Sequence, residues 1–134
     1  MIVLDSSFLI AYHNTRDTHH GEAARAMVHL VAGEWGRPQL LEYVFLEVVT
    51  VLRARLGVAV ALEVGEKLLD ANEIDFVPCS SIFVEAMGIF RREVADLSFT
   101  DAAIVAVARS DKKGYVATFD RDFVHVSGVS VIPA

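Results

Sequence analysis

An α/β fold with a mainly parallel sheet is the class this sequence predicts, on two observations. Short apolar runs of strand character alternate with longer segments whose apolar residues recur at helical spacing. The chain has 134 residues, 54 % of them hydrophobic, so it can bury a sizeable core but has little room for a second unit. Residues 1–134 are therefore taken as one domain. No internal repeat, low-complexity tract or linker interrupts the alternation.

Met1 to Leu4 is an apolar run ending at Asp5, as expected of a buried strand. Ser6 and Ser7 can cap a helix from Phe8 that fades near His13, where the polar stretch Asn14 to His20 begins. Glu22 to Ala32 is amphipathic, with Ala23, Ala26, Met27, Leu30 and Val31 on one face. Gly33, Gly36 and Pro38 break that helix. From Leu40 to Leu56 the apolar positions keep helical spacing, and Gly57 stands where a helix terminates. Val58 to Ala71 predicts a second helix paired with the first. Ile74 to Val77 predicts a strand closed by Pro78, and Ser80 or Ser81 can start a helix to about Val94. Phe99 to Arg109, opened by Ser98, is apolar nearly all round and hence central. Tyr115 to Thr118 and Val129 to Ile132 complete the sheet.

Composition excludes several function classes. Twelve basic residues against 18 acidic give a net charge of −6, which argues against holding nucleic acid by a broad cationic surface. The mean hydropathy is +0.43, yet no apolar run approaches the ~18 residues of a membrane span. The start MIVLD has no basic region of a signal peptide, so a cytoplasmic location is expected. One cysteine, Cys79, cannot build a disulfide framework or a cysteine-based zinc site. His13, His19, His20, His29 and His125 show no metal-ligand spacing, and His19 and His20 read as loop residues. Glycine-rich phosphate loops and serine-nucleophile elbows are absent too.

What remains is a set of acids. In parallel α/β folds reactive groups gather beyond the carboxyl ends of the strands. Asp5, Asp101, Asp120 and Asp122 fall there. Each has a structural alternative: Asp5 as a helix cap, Asp101 in a capping box with Ser98, Asp120 and Asp122 in an Asx turn. Glu47 has apolar neighbours at helical spacing (Tyr43, Val44 and Val51) and no Lys or Arg three or four residues away. It is expected to project along an apolar stripe and to need a cationic partner. Glu42 reads as a helix-start acid favoured by the macrodipole. Jointly, hard carboxylate oxygens without His or Cys suit Mg²⁺ or Mn²⁺ rather than zinc. Such an ion can bind a phosphate and activate water for attack on phosphorus.

The segments Ile2-Val3-Leu4-Asp5-Ser6-Ser7, Phe45-Leu46-Glu47-Val48, Leu97-Ser98-Phe99-Thr100-Asp101-Ala102 and Thr118-Phe119-Asp120-Arg121-Asp122-Phe123 resemble those of PIN-domain ribonucleases. Their order and the chain length are similar to the VapC-type toxins of toxin–antitoxin pairs. The resemblance implies a three-layer α/β/α sandwich and Mg²⁺- or Mn²⁺-dependent cleavage of RNA by water. It makes Asp5, Glu47 and Asp101 metal-site acids and leaves the fourth at Asp120 or Asp122. Thr118 and Ser6 would orient carboxylates or waters, and Arg121 would contact phosphate. The partners implied are an RNA substrate and an antitoxin protein. Leu40 to Leu56 and Val58 to Ala71 also carry more apolar residues than a small core needs. A homodimer contact and an antitoxin segment are expected to cover them. The competing functions are a non-catalytic interaction module of the same fold and a DNA-directed nuclease. A haloacid-dehalogenase pattern would want a second Asp where Ser7 stands.

Overall fold

The computed structural model describes residues 1–93 and 96–134. Five strands, β1 (Ile2–Leu4), β2 (Pro38–Leu41), β3 (Asp75–Val77), β4 (Tyr115–Ala117) and β5 (Ser130–Ile132), form one sheet in the order β3-β2-β1-β4-β5. Every neighbouring pair is parallel. Among the described residues six α-helices accompany them: α1 (Ser6–His13), α2 (His20–Val31), α3 (Glu42–Leu56), α4 (Val58–Asp70), α5 (Phe83–Arg92) and α6 (Phe99–Arg109).

The chain runs outward from β1 through β2 to β3, then crosses back to place β4 and β5 on the other side of β1. Right-handed crossovers put helices of the outward run on one face and those of the return on the other. The packing agrees: α1 lies against α2 and α3, and α3 against α4, while α5 packs on α6 and α6 on β1 and β4. The three layers enclose a core in which Ile2, Val3, Phe8, Leu40, Ile104, Val116 and Phe123 are fully buried. The order reverses between β1 and β4. That switch point is where a parallel sheet opens a crevice at its carboxyl edge.

Several sequence-based expectations need correction. The segment from Leu40 is not helical at its start; Pro38–Leu41 is a strand, and α3 begins only at Glu42. Because strand and helix join without a loop, Leu40 and Leu41 satisfy the helical period by accident. What makes them a strand is the pair of open edges beside them, with Ile2 opposite Pro38 and Leu40 opposite Phe76. Proline is tolerated there because it occupies the first strand position. Helix α1 starts at Ser6, not Phe8, and α2 at His20, not Glu22. Ser80–Ile82 forms a 3₁₀ turn, after which α5 starts at Phe83. The expected end of α5 at Val94 lies outside the described residues.

Gly114, just ahead of β4, has φ +61, and a Cβ there would collide with the carbonyl oxygen of Gly128. Only glycine permits that approach, which lets the Ser130 N–H donate to the Gly114 carbonyl (2.8 Å) and align β5.

Where β2 and β3 begin, the Arg37 guanidinium donates to both Asp75 carboxylate oxygens (2.8 and 3.1 Å), and the Gln39 amide adds a third bond (2.9 Å). Hydrogen bonding to Arg37, then to Gln39, lowers the Asp75 carboxyl to about 2. A depressed folded-state value adds stability above the unfolded value near 4 and loses it as pH falls through about 2. Arg37→Met is therefore expected to be less stable than the parent at pH 5, the gap closing between about pH 4 and 2. Denaturant titration at the two ends of that window checks it; a gap independent of pH would mean that the ion pair contributes nothing.

Candidate active site

Asp5 occupies the N-cap position of α1, but its side chain makes no capping hydrogen bond. Asp5, Ser6 and Thr118 are the only buried polar or charged residues among the described ones, and all three sit at the switch point. The Asp5 N–H donates to the Ala117 carbonyl (3.0 Å), tying the end of β1 to that of β4. The Asp5 Oδ2 accepts from Thr118 Oγ1 (2.6 Å) and from Ser7 Oγ (2.8 Å). These hydroxyls are themselves held from behind. Thr118 Oγ1 accepts the Asp120 N–H and Ser7 Oγ the Phe119 N–H, each at 2.9 Å. The chain after β4 thus turns around two hydroxyls that both aim at one carboxylate.

Burial pushes the Asp5 carboxyl above its ordinary value. Bonds from Thr118 and Ser7 and the Ser6 N–H pull it down, while the Asp120 charge raises it again. No Lys, Arg or His forms an ion pair with Asp5 among the described residues. A buried carboxylate without a cationic partner is costly.

Asp101 stands in the first turn of α6 and completes a capping box: its N–H donates to Ser98 Oγ (3.1 Å), and the Ser98 N–H to its Oδ2 (3.0 Å). The structural alternative for Asp101 is therefore real, but it uses one carboxylate oxygen only. Burial first, then the charges of Asp5 and Asp120, push the Asp101 carboxyl up to about 6 against the bonds from Ser98. Asp5, Asp101 and Asp120 thus act electrostatically on one another. They come from three separate stretches of chain, brought together because β1, α6 and β4 are neighbours.

Asp120 Oδ1 accepts the Asp122 N–H (2.9 Å), the Asx-turn geometry, and half-buried Asp120 faces the cluster's charge. Asp122 is exposed. Arg121, between them, is exposed and makes no ion pair among the described residues.

Glu47 departs from expectation: it is exposed, not buried along an apolar stripe. Its neighbours Tyr43 and Val51 are only partly buried, so its charge stays hydrated and demands no partner. It lines an open groove with Ser98 and Thr100, which shortly precede Asp101 in sequence. Ser6 is buried, and the hydroxyl that orients Asp5 from this turn is that of Ser7 rather than the expected Ser6. The only trace of this in sequence is a hydroxyl two residues after the acid, within reach across the first helical turn. Glu42 accepts the Cys79 N–H (2.8 Å) and stands apart from the cluster.

Among the described residues, no three His, Cys, Asp or Glu side chains already form a set that would hold a metal ion. The donor chemistry nonetheless fits a hard divalent cation. Mg²⁺ is commonly held by one or two carboxylates and keeps several waters, so a closed protein cage is not required. Mutually repelling carboxylates, one of them buried without a cation, are the setting such an ion relieves.

A parallel α/β sheet with acids gathered at its switch point defines the class, a carboxylate-lined α/β domain. The profile of the PIN domain matches residues 2–129, and the chain belongs to that family. A VapC ribonuclease of Archaeoglobus fulgidus is 22 % identical over 132 residues, which span 90 % of this chain and 83 % of the relative. Among solved structures, Mycobacterium tuberculosis VapC20, described as a sarcin–ricin loop cleaving toxin, superposes with a TM-score of 0.76. It is 26 % identical, over 92 % of this chain and 93 % of that one. A toxin–antitoxin complex from Klebsiella pneumoniae shares the fold, with a TM-score of 0.66 and 19 % identity over 97 % and 96 % of the two chains.

Proposed function

We propose that this protein is a Mg²⁺- or Mn²⁺-dependent endoribonuclease, the toxin of a VapBC-type pair, acting as one nuclease domain in the cytoplasm. The observation that supports it most is the coupled trio of Asp5, Asp101 and Asp120, with Asp5 buried and lacking a cationic partner. Family membership and the likeness to VapC ribonucleases favour RNA as substrate.

Asp5, Asp101 and Asp120 would hold the ion, with Glu47 reaching in from α3 across the groove it shares with Ser98 and Thr100. When bound, the ion supplies charge neutralisation at the phosphate and activation of the attacking water. The protein's own part is positional. Ser7 and Thr118 fix the Asp5 carboxylate, the capping box fixes Asp101, and the Thr118 hydroxyl fixes the backbone that carries Asp120. Asp120 is favoured over Asp122 as the fourth acid because its charge acts on the other two. Arg121, exposed beside Asp120, is suited to a phosphate oxygen.

An antitoxin and a second copy of the chain are the proposed protein partners. Leu46, Leu62 and Leu69 on α3 and α4, and Phe83, Met87 and Phe90 on α5, are exposed apolar side chains that such contacts would cover. No helix among the described residues is long and apolar enough to cross a membrane.

The direct test is incubation with structured and single-stranded RNA in Mg²⁺ or Mn²⁺, beside Asp101→Asn. Internal cleavage by the wild type, lost in the folded variant, is the expected result. Absence of cleavage in either metal overturns the assignment, and full activity of Asp101→Asn reduces Asp101 to a helix cap.

A further inference from the structure

A second feature lies beside the acid cluster. Phe119 follows Thr118, and its ring stacks on the buried Phe8 (centroids 6.0 Å apart, 18° between planes). It stacks more closely on His19, at 4.4 Å and 9°. A train of aromatic rings thus runs from the core to the surface, ending in an exposed imidazole. The His19 backbone is fixed independently, since its N–H donates to Asp17 Oδ1 (2.8 Å) and its carbonyl accepts the Ala23 N–H (2.9 Å). His19 and Phe119 line a cleft of about 460 Å³ together with Thr118, Asp120 and Arg121. The cleft therefore shares Thr118 and Asp120 with the carboxylate site.

We propose that this cleft is a subsite for an unpaired nucleobase of the RNA strand next to the cleaved phosphate; it rests on the nuclease reading above. The base stacks on the outer face of His19, which Phe119 backs from the core side, and Arg121 takes a phosphate oxygen of the same nucleotide. Three observations favour a nucleotide over a simple anion. The cleft offers ring surface, which every base can use regardless of sequence. Its one cation, Arg121, is opposed by Asp120 and by Glu22, which also lines the cleft, so an isolated phosphate gains little. The platform is rigid before any ligand arrives, because Phe119 is anchored on a core residue and His19 on an Asx turn. A prepaid stacking surface loses little entropy on binding. The strand must be unpaired there, since a base inside a duplex has no free face to offer.

The subsite predicts how a protein of net charge −6 can retain an RNA strand. Binding draws on ring stacking and one guanidinium beside the acids, not on a basic surface. The clusters Arg53/Arg55, Arg91/Arg92 and Lys112/Lys113 are exposed on other parts of the chain.

The test uses the intact protein in Mg²⁺ with 5′-adenosine monophosphate as probe, followed by NMR of the histidine ring resonances. The nucleotide should shift the His19 ring resonances by its ring current, and inorganic phosphate should not. His19→Ala, an exposed position outside the acid cluster, should weaken nucleotide binding about tenfold with an unchanged melting temperature. Arg121→Gln should weaken binding while preserving the ring shifts of His19. RNA cleavage is measured in parallel. Cleavage without nucleotide-induced shifts, or with equal affinity in His19→Ala, overturns the subsite and leaves the nuclease reading standing. Equal shifts with phosphate alone would make the cleft an anion site and overturn stacking. No cleavage of any RNA overturns the nuclease reading, and with it the assignment of the cleft to an RNA strand.

Discussion

Asp5→Asn should abolish RNA cleavage while leaving the protein folded. The substitution is isosteric, and the amide oxygen can still accept from the Thr118 and Ser7 hydroxyls that bond Oδ2. Its NH₂ then replaces the second carboxylate oxygen, which removes a buried negative charge from beside Asp101 and Asp120. Stability should hold or rise, since burial and repulsion already disfavour the ionised form. Activity should fall by well over about 100-fold. Losing only a group that orients a metal ligand already costs ~10–100-fold, and on the proposed assignment this change removes a ligand itself. Melting temperature and cleavage rate, measured on one preparation, check both halves. A folded Asp5→Asn protein that cleaves at the parent rate would make Asp5 a structural residue.

The second large effect is on the metal-free protein. The Asp101 carboxyl is raised to about 6 from an ordinary 3.8, so the folded state binds that proton more tightly than the unfolded chain does. Stability in chelator should therefore rise as pH falls from about 8 to 5 and level off below about 4, where both states are protonated. The full shift would correspond to ~3 kcal/mol. Asp101 is only half-buried, and solvent screening reduces this to about 1 kcal/mol, a few degrees in melting temperature. Saturating Mg²⁺ at pH 7.5 should raise the melting temperature by mass action, ~2.7 kcal/mol at a hundredfold excess over Kd. It should also flatten the pH slope, because the cation takes over the role of the proton. A melting temperature indifferent to Mg²⁺ and to pH would count against a cation site here, whatever the activity.

Much of this site was legible before folding was considered. Asp5 ends an apolar run, Asp101 opens the helix that holds the longest apolar run, Ala102 to Ala108, and Asp120 follows a strand; in a parallel α/β fold those three places converge. The capping box at Ser98 was readable too, since its chemistry lies within four consecutive residues. Glu47 is exposed where its apolar neighbours predict burial, because helical spacing reports which residues share a face, not whether another element covers it. The face of α3 that carries Glu47 is left open beside the start of α6.

Ser7 and His19 escaped for a different reason. In the sequence Ser7 is a possible helix cap; in the fold its hydroxyl donates to Asp5 and accepts the Phe119 N–H, a partner 112 positions away in the chain. His19, in a polar stretch, acquires a role only through the ring of Phe119. Strand β2 shows the same limit at the level of secondary structure: four residues fused to a helix carry no period of their own.

By itself the sequence determined much of what is local or periodic: most of the alternation of strands and helices, the capping box at Ser98, and which acids stand at strand and helix ends. Only the tertiary structure decided which hydroxyls bond Asp5, that Asp120 is half-buried while Asp122 is exposed, and that Glu47 lies in water. The physical reason is that burial and charge coupling depend on neighbours in space. Those neighbours are set by the crossover from β3 back to β4, which no local pattern encodes.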